Sequence, residues 1–428
     1  MLALIRYYPP VYYQLMLLFF LQQFSYYSYL FAVLEGVPLY GEQLVAMDPP
    51  AYRYFHLSVG LAFLLAGWLY DRIPKVRLSL FWGISLMLFG HMLGLLGMPV
   101  LLLPSCALVN LGGALFSIAC YMHVGILFST ASGYKDAAFI GMAAVYTIAL
   151  MAAVLLIPIL MTESPAFPIL INLAIYIGLI FFVMLYKDIG YQIEEDEEEE
   201  PKEAEELEGE AEEDNSWSKT QLLLLVIVGM TLLELISIYS PFIGVSTTFA
   251  FVGLAHWLWP LSLFLLVMGF LVLFFIAGDK SRQLEKIQFC LYAFLVIIGM
   301  EWLIRLTPSY EMDYIADFLP NLLLSAILFP VATSIITHIN YEYNPGMWLG
   351  LFFALGELGY FVMDVLIWAG LISHTIVGIL ISLLTVLLLI GFLENKAYLA
   401  TVLALDVPNR TEAPEEDNKD DILEHLIE

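Results

Sequence analysis

Positive charge is scarce in this chain. Sixteen Lys and Arg stand against 42 Asp and Glu, for a formal net charge of −26. So acidic a chain repels a phosphate backbone, and nucleic acid is not an expected partner. Cysteine is scarce as well. Cys106, Cys120 and Cys290 each fall in an apolar run, with no spacing that fits a metal site or a disulfide frame. His56, His91, His123, His256, His338, His374 and His425 show no metal-ligand spacing with one another or with cysteine. No metal and no cofactor are expected. The chain has no phosphate loop of Walker type, which argues against work driven by nucleotide hydrolysis. No Ser/His/Asp order or paired catalytic motif stands out, so an enzyme is not expected and no catalytic residue is assigned. The start, MLALIRYYPP, lacks the charged region and small-residue cleavage site of a removable signal. The first long apolar run is therefore expected to be retained.

What is abundant is apolar surface. Hydrophobic residues make up 61% of the chain, against roughly half in soluble domains. A soluble core of this size could not hide that much. Runs of membrane-spanning length fall near 11–34, 51–70, 78–98, 101–127, 137–160, 166–186, 219–240, 248–277, 287–306, 318–338, 347–370 and 373–393. They lack the ten-residue alternation of a barrel, and lipid offers the backbone no hydrogen-bond partners. The expected fold class is an all-α integral membrane protein with twelve transmembrane helices, and the bilayer is its expected environment.

The acid is concentrated where these runs are not. Residues 194–214 hold fifteen acidic residues against the single Lys202, and residues 406–428 hold nine. Both read as solvated charge runs. The expected domains are a first six-helix half over 1–187, an acidic linker over 188–216, a second half over 217–394 and an acidic tail over 395–428. Lys and Arg set the orientation. With the first residues inside, fourteen basic residues fall on the inner side, and only Arg53 and Arg305 fall on the outer. Both termini and the linker are thus expected on the cytoplasmic side of a cell (inner) membrane, with the protein a monomer. Asn409-Arg410-Thr411 matches a glycosylation acceptor but sits on that cytoplasmic side, so it carries no assignment.

The two halves echo each other. Asp71-Arg72 follows the second run, and Asp279-Lys280 follows the eighth. Gly141-Met142 with Ala149-Leu150 in the fifth matches Gly346-Met347 with Ala354-Leu355 in the eleventh. The expected layout is two six-helix pseudo-repeats, the arrangement in which halves rock around a central site.

Between the second and third runs lies GWLYDRIPKVR, from Gly67 to Arg77. Gly67, Leu69, Asp71, Arg72 and Lys75 resemble the loop signature of the major facilitator superfamily. Pro74 replaces its second Gly, and Val76 takes a basic position, with Arg77 following. The resemblance in architecture covers nearly the whole chain. It implies a transporter in which Asp71 meets the N-terminal end of the eleventh helix, near Gly346, and closes the cytoplasmic side. Gly67, Asp71, Arg72, Lys75 and Arg77, with Asp279 and Lys280 as counterparts, are the gating candidates. The basic residues have a second reading as topology anchors. The start of the first run, FLQQFSYYSYL, resembles that of nucleoside–proton symporters of the superfamily.

The resemblance also implies that the first, fourth, seventh and tenth helices line a central cavity. Gln22, Tyr26, Asn110, Tyr121, Glu234, Asn321 and Ser325 are therefore the substrate-binding candidates. Interhelical hydrogen bonding is the alternative for each. Charges inside a membrane are costly, so the intramembrane acids stand out. Glu234, Glu357 and Asp364 are the proton-coupling candidates, with Glu357 and Asp364 on one helix face. Glu301 and Arg305 read as a local ion pair, as do Arg53 and Glu35. His56, His256 and His374 read as packed or interfacial residues near the outer side. The function expected is proton-coupled movement of a small polar organic solute, neutral or cationic, by alternating access. The alternative is a non-transporting scaffold, partner subunit or sensor of the same fold.

Overall fold

A computed structural model describes residues 10–34, 49–73, 75–96, 99–127, 132–163, 167–186 and 344–394, with single positions at 227, 228, 231, 333 and 336. The described residues form eight long helices. They are α1 (Pro10–Leu34), α2 (Pro49–Tyr70), α3 (Val76–Leu95), α4 (Pro99–Leu127), α5 (Ser132–Glu163), α6 (Phe167–Leu185), α7 (Pro345–Trp368) and α8 (His374–Glu394). They coincide with the first six apolar runs and the last two. The runs at 219–240, 248–277, 287–306 and 318–338, the linker and the tail lie outside the described residues. By length and composition α3, residues 103–127 of α4, α6 and α7 each suffice to cross a membrane.

The apolar residues that hydropathy predicts as spans divide between two surroundings. In α6, Ile169, Asn172, Tyr176, Leu179 and Val183 are buried at helical spacing. Leu170, Ile177, Phe181 and Phe182 on the other side are exposed. An outward face this apolar fits lipid, because hydrocarbon solvates Leu and Phe as well as a protein core does.

Within the first six helices α3 packs along α4, α1 against α5 and α6, and α3 against α6. The α3–α4 contact is so close that a Cβ on Gly112 would stand 2.4 Å from the carbonyl oxygen of Gly83. Only the missing side chain permits it.

The polar residues buried here are spent largely on one another. Tyr29 shares a hydrogen bond with Ser105 (2.8 Å), whose hydroxyl donates to the Gly90 carbonyl (2.7 Å). His91 lies between the rings of Tyr29 and Tyr176, with Asn172 on its Nε2 at 3.3 Å. His123 meets the Tyr186 hydroxyl at 3.2 Å. Both of these histidines are buried, packed residues. Cys106 and Cys120 are free and buried in α4; Cys290 lies outside the described residues. Together α1 to α6 form one bundle, and α7 docks lengthwise on α2.

Candidate functional site

The seam between α2 and α7 starts at a proline. Pro345 opens α7, and Asn344 before it takes the left-handed conformation (φ 50°, ψ 55°). Asn tolerates that region better than most residues. Proline has no N–H, so the first free donors of the helix are Gly346 and Met347. Both are taken by Asp71. The Gly346 N–H donates to Oδ1 and the Met347 N–H to Oδ2, each at 2.7 Å. A helix N-terminus favours an anion through those donors and its dipole. Burial pushes the Asp71 carboxyl above its ordinary range, and the Met347 and Gly346 N–H groups pull it back.

Glycine makes the approach possible. A Cβ on Gly67 would lie 2.4 Å from the Gly346 carbonyl oxygen. One on Gly350 would lie 2.5 Å from the Phe63 carbonyl oxygen. Further along, Phe63 stacks on Phe353 at 5.0 Å, and Gly60 faces Leu358 and Ala354. The two helices thus run antiparallel in a fixed register.

That register ends in a contact between a histidine and a glutamate. His56 Nδ1 lies 2.6 Å from Glu357 Oε2 across the seam, 301 residues apart in sequence. The His56 side chain is 16% exposed and that of Glu357 30%. The His56 ring also packs on Tyr360 at 4.1 Å. Sequence reasoning named Glu357 but took His56 for a packed or interfacial residue. The missed signal was depth: counted from the close approach of Gly67 to Gly346, His56 and Glu357 stand equally far along the two helices.

Beside the pair is a polar chain linking three helices. The Tyr26 hydroxyl donates to Asn110 Oδ1, and Asn110 Nδ2 donates to Ser58 Oγ, both at 3.1 Å. Ser58 is two residues from His56. Tyr27 bonds the Tyr146 hydroxyl of α5.

The other candidates separate by place. Gln22 is fully buried, its Nε2 3.6 Å from the Met87 sulfur and its Oε1 without a hydrogen bond. Tyr121 is buried among Phe19, Phe139 and Phe353. Asp364 is half-buried on α7. Arg72 is exposed and lies 4.0 Å over the Trp68 ring, while Lys75 is exposed at the start of α3. Arg77 donates to the Met184 carbonyl and so ties α3 to the last turn of α6. This cap is a further role for a residue first read as a gate or an anchor. Glu234, Asp279, Lys280, Asn321, Ser325, Glu35, Glu301, Arg305 and His256 lie outside the described residues.

Asp71→Asn tests the first contact. An amide keeps one acceptor and turns an N–H donor towards a second N–H. Losing one buried bond costs about 1–3 kcal/mol. The expected result is a shift of roughly 5- to 150-fold away from the form closed at this end. Cysteine-accessibility labelling from each side of the membrane measures it, and an unchanged pattern removes Asp71 from the gate.

No protein-family model matches the sequence, and no curated protein matches it either. Solved structures do. The human organic anion transporter MFSD10 superposes with a TM-score of 0.63 at 13% identity, over 90% of this chain and 99% of that one. A bacterial homologue of the iron transporter ferroportin in an outward-facing state gives 0.64 at 14%, over 90% and 100%. The E. coli fucose:proton symporter gives 0.60 at 13%, over 89% and 97%. At such identities the likeness carries the fold. The chain has the fold of these solved transporters, a fold shared with a structure described as a major facilitator superfamily transporter.

Proposed function

We propose that this protein is a secondary transporter that moves a small polar organic solute across a cell membrane by alternating access, coupled to protons. The observation that carries the reading is the contact between His56 and Glu357 at 2.6 Å, set across the seam between the first half and α7. A carboxylate and an imidazole at membrane depth are expensive to keep unless they serve a pathway. Both side chains are of a kind that can hold a proton.

The polar groups around the pair favour a solute site between the halves. Tyr26 and Asn110 connect to Ser58, two residues from His56, and Gln22 and Tyr121 lie deeper in the packing. Glu234, Asn321 and Ser325 are the counterparts proposed from the other half. The solute meets this site when the outer side is open. With the Lys- and Arg-rich side placed in the cytoplasm, the Asp71 contact closes that side, which corresponds to an outward-open arrangement. Both termini are then cytoplasmic, and the monomer is the working unit.

The test is uptake into liposomes carrying the purified protein. A panel of nucleosides, sugars, amines and organic anions is offered with and without an imposed pH gradient. Uptake of at least one solute, stimulated by the gradient, is expected. Movement of none would leave the scaffold or sensor as the reading.

A further inference from the structure

The end of α2 carries a stacked charge. Trp68 and Arg72 are four residues apart, the spacing at which side chains meet along a helix. The Arg72 guanidinium carbon lies 4.0 Å from the centre of the Trp68 ring. The ring is 42% exposed, and Arg72 is exposed as well. A guanidinium over an aromatic face is attracted by the ring's quadrupole, most strongly when the ring is that of Trp.

The stack keeps Arg72 from a nearer partner. Arg72 follows Asp71 directly in the chain, and its charge is permanent. Its backbone N–H bonds the Leu69 carbonyl at 3.0 Å, three residues back, so the helix has tightened and is ending here. The two oxygens of Asp71 nonetheless go to the Gly346 and Met347 N–H groups at 2.7 Å, while the guanidinium sits on Trp68.

These two partners of the carboxylate exclude each other. The start of α7 is the positive end of a helix, and a guanidinium brought to the same carboxylate would meet it with like sign. With α7 in place, Arg72 is better held on Trp68. With α7 withdrawn, Asp71 loses both donors. A carboxylate stripped of its hydrogen bonds is costly, and a guanidinium presents paired N–H groups that match its two oxygens. Arg72 is the adjacent residue that carries them.

We propose that Trp68 is a positioning residue of the Asp71 contact: its ring holds Arg72 aside while the α2–α7 seam is closed, and Arg72 leaves the ring for Asp71 when the seam opens. The inference rests on the alternating-access reading above. Arg72 then favours the open seam, not the closed one, and Trp68 favours the closed seam by giving Arg72 another seat.

Full-length protein in liposomes is labelled from each side through reporter cysteines, which needs no solute. Trp68→Leu should shift the population about 2- to 5-fold towards the form open at the Asp71 end, the worth of an exposed cation–aromatic contact. Trp68→Phe, which keeps a ring face, should shift it less. Arg72→Gln should move it the other way, towards the closed form, by at least about twofold, because a charged hydrogen bond in the open form outweighs the stack in the closed one. With Arg72→Gln already present, Trp68→Leu should add nothing; such a cycle isolates the pairwise effect. An equal shift by Trp68→Leu in both backgrounds overturns the proposal, since Trp68 would then act through packing alone. Opening of the seam by Arg72→Gln overturns it too. Should Trp68→Leu fail to fold, Trp68→Phe and Arg72→Gln still test it by the directions of their shifts. If Asp71→Asn shifts the labelling and Trp68→Leu does not, the role of Trp68 falls and the gate stands. If Asp71→Asn shifts nothing, the gate falls and the proposal with it.

Discussion

Gly67→Val is expected to hold the protein open at the Asp71 end and to reduce transport at least about 150-fold. At 2.4 Å from the Gly346 carbonyl oxygen and 3.0 Å from its carbon, the new Cβ meets backbone, not a side chain that can turn away. The helices must separate, and both 2.7 Å bonds from α7 to Asp71 are lost with the contact. Overpacking of this kind costs about 1–3 kcal/mol, and each lost buried hydrogen bond adds to it. A total near 3 kcal/mol corresponds to roughly 150-fold. Gly112→Val is the control, because its clash with Gly83 lies within the first half. It should lower the melting temperature and leave the inside-to-outside labelling ratio unchanged. Equal labelling shifts in the two variants would mean that Gly67 acts through general stability, and the α2–α7 seam would lose its role as the gate.

Glu357→Gln is expected to abolish accumulation driven by a pH gradient. A one-unit gradient stores about 1.4 kcal/mol per proton, which is about tenfold accumulation for one-to-one coupling. The amide neither ionises nor takes up a proton, so that ratio should fall to one. Gln can still accept a hydrogen bond from the imidazole of His56, so the seam keeps a polar partner at this point. This makes the variant a test of proton handling more than of packing. Preserved gradient-driven accumulation in reconstituted liposomes would transfer the coupling to Glu234 or Asp364.

Much of the seam is legible in the sequence. The Gly67–Arg77 signature pointed Asp71 at the start of the eleventh run, and Gly346 and Met347 receive it there. The helices were legible because apolar runs of membrane length have few alternatives to the helix. The site was harder to read. His56 and Glu357 are 301 residues apart, and no local period links them. Hydropathy gives depth but not azimuth, so Gln22 and Tyr121 could be assigned to the right helices without showing that both are packed away from open space. Arg77 carries a similar lesson. Its spacing marks a loop, but its hydrogen bond to Met184 depends on where α6 ends.

The α2–α7 seam also has the proportions of a lever. His56 and Asp71 are about 22 Å apart along α2, at about 1.5 Å per residue. If the His56–Glu357 pair serves as the fulcrum, a tilt of about 10° moves the Asp71 end by about 4 Å, given that arm. Hydrogen bonds of 2.7 Å do not survive such a stroke, whereas atoms at the pivot hardly move. One end of the arm would then work as a latch that snaps open, while the backbone around His56 and Glu357 hardly shifts.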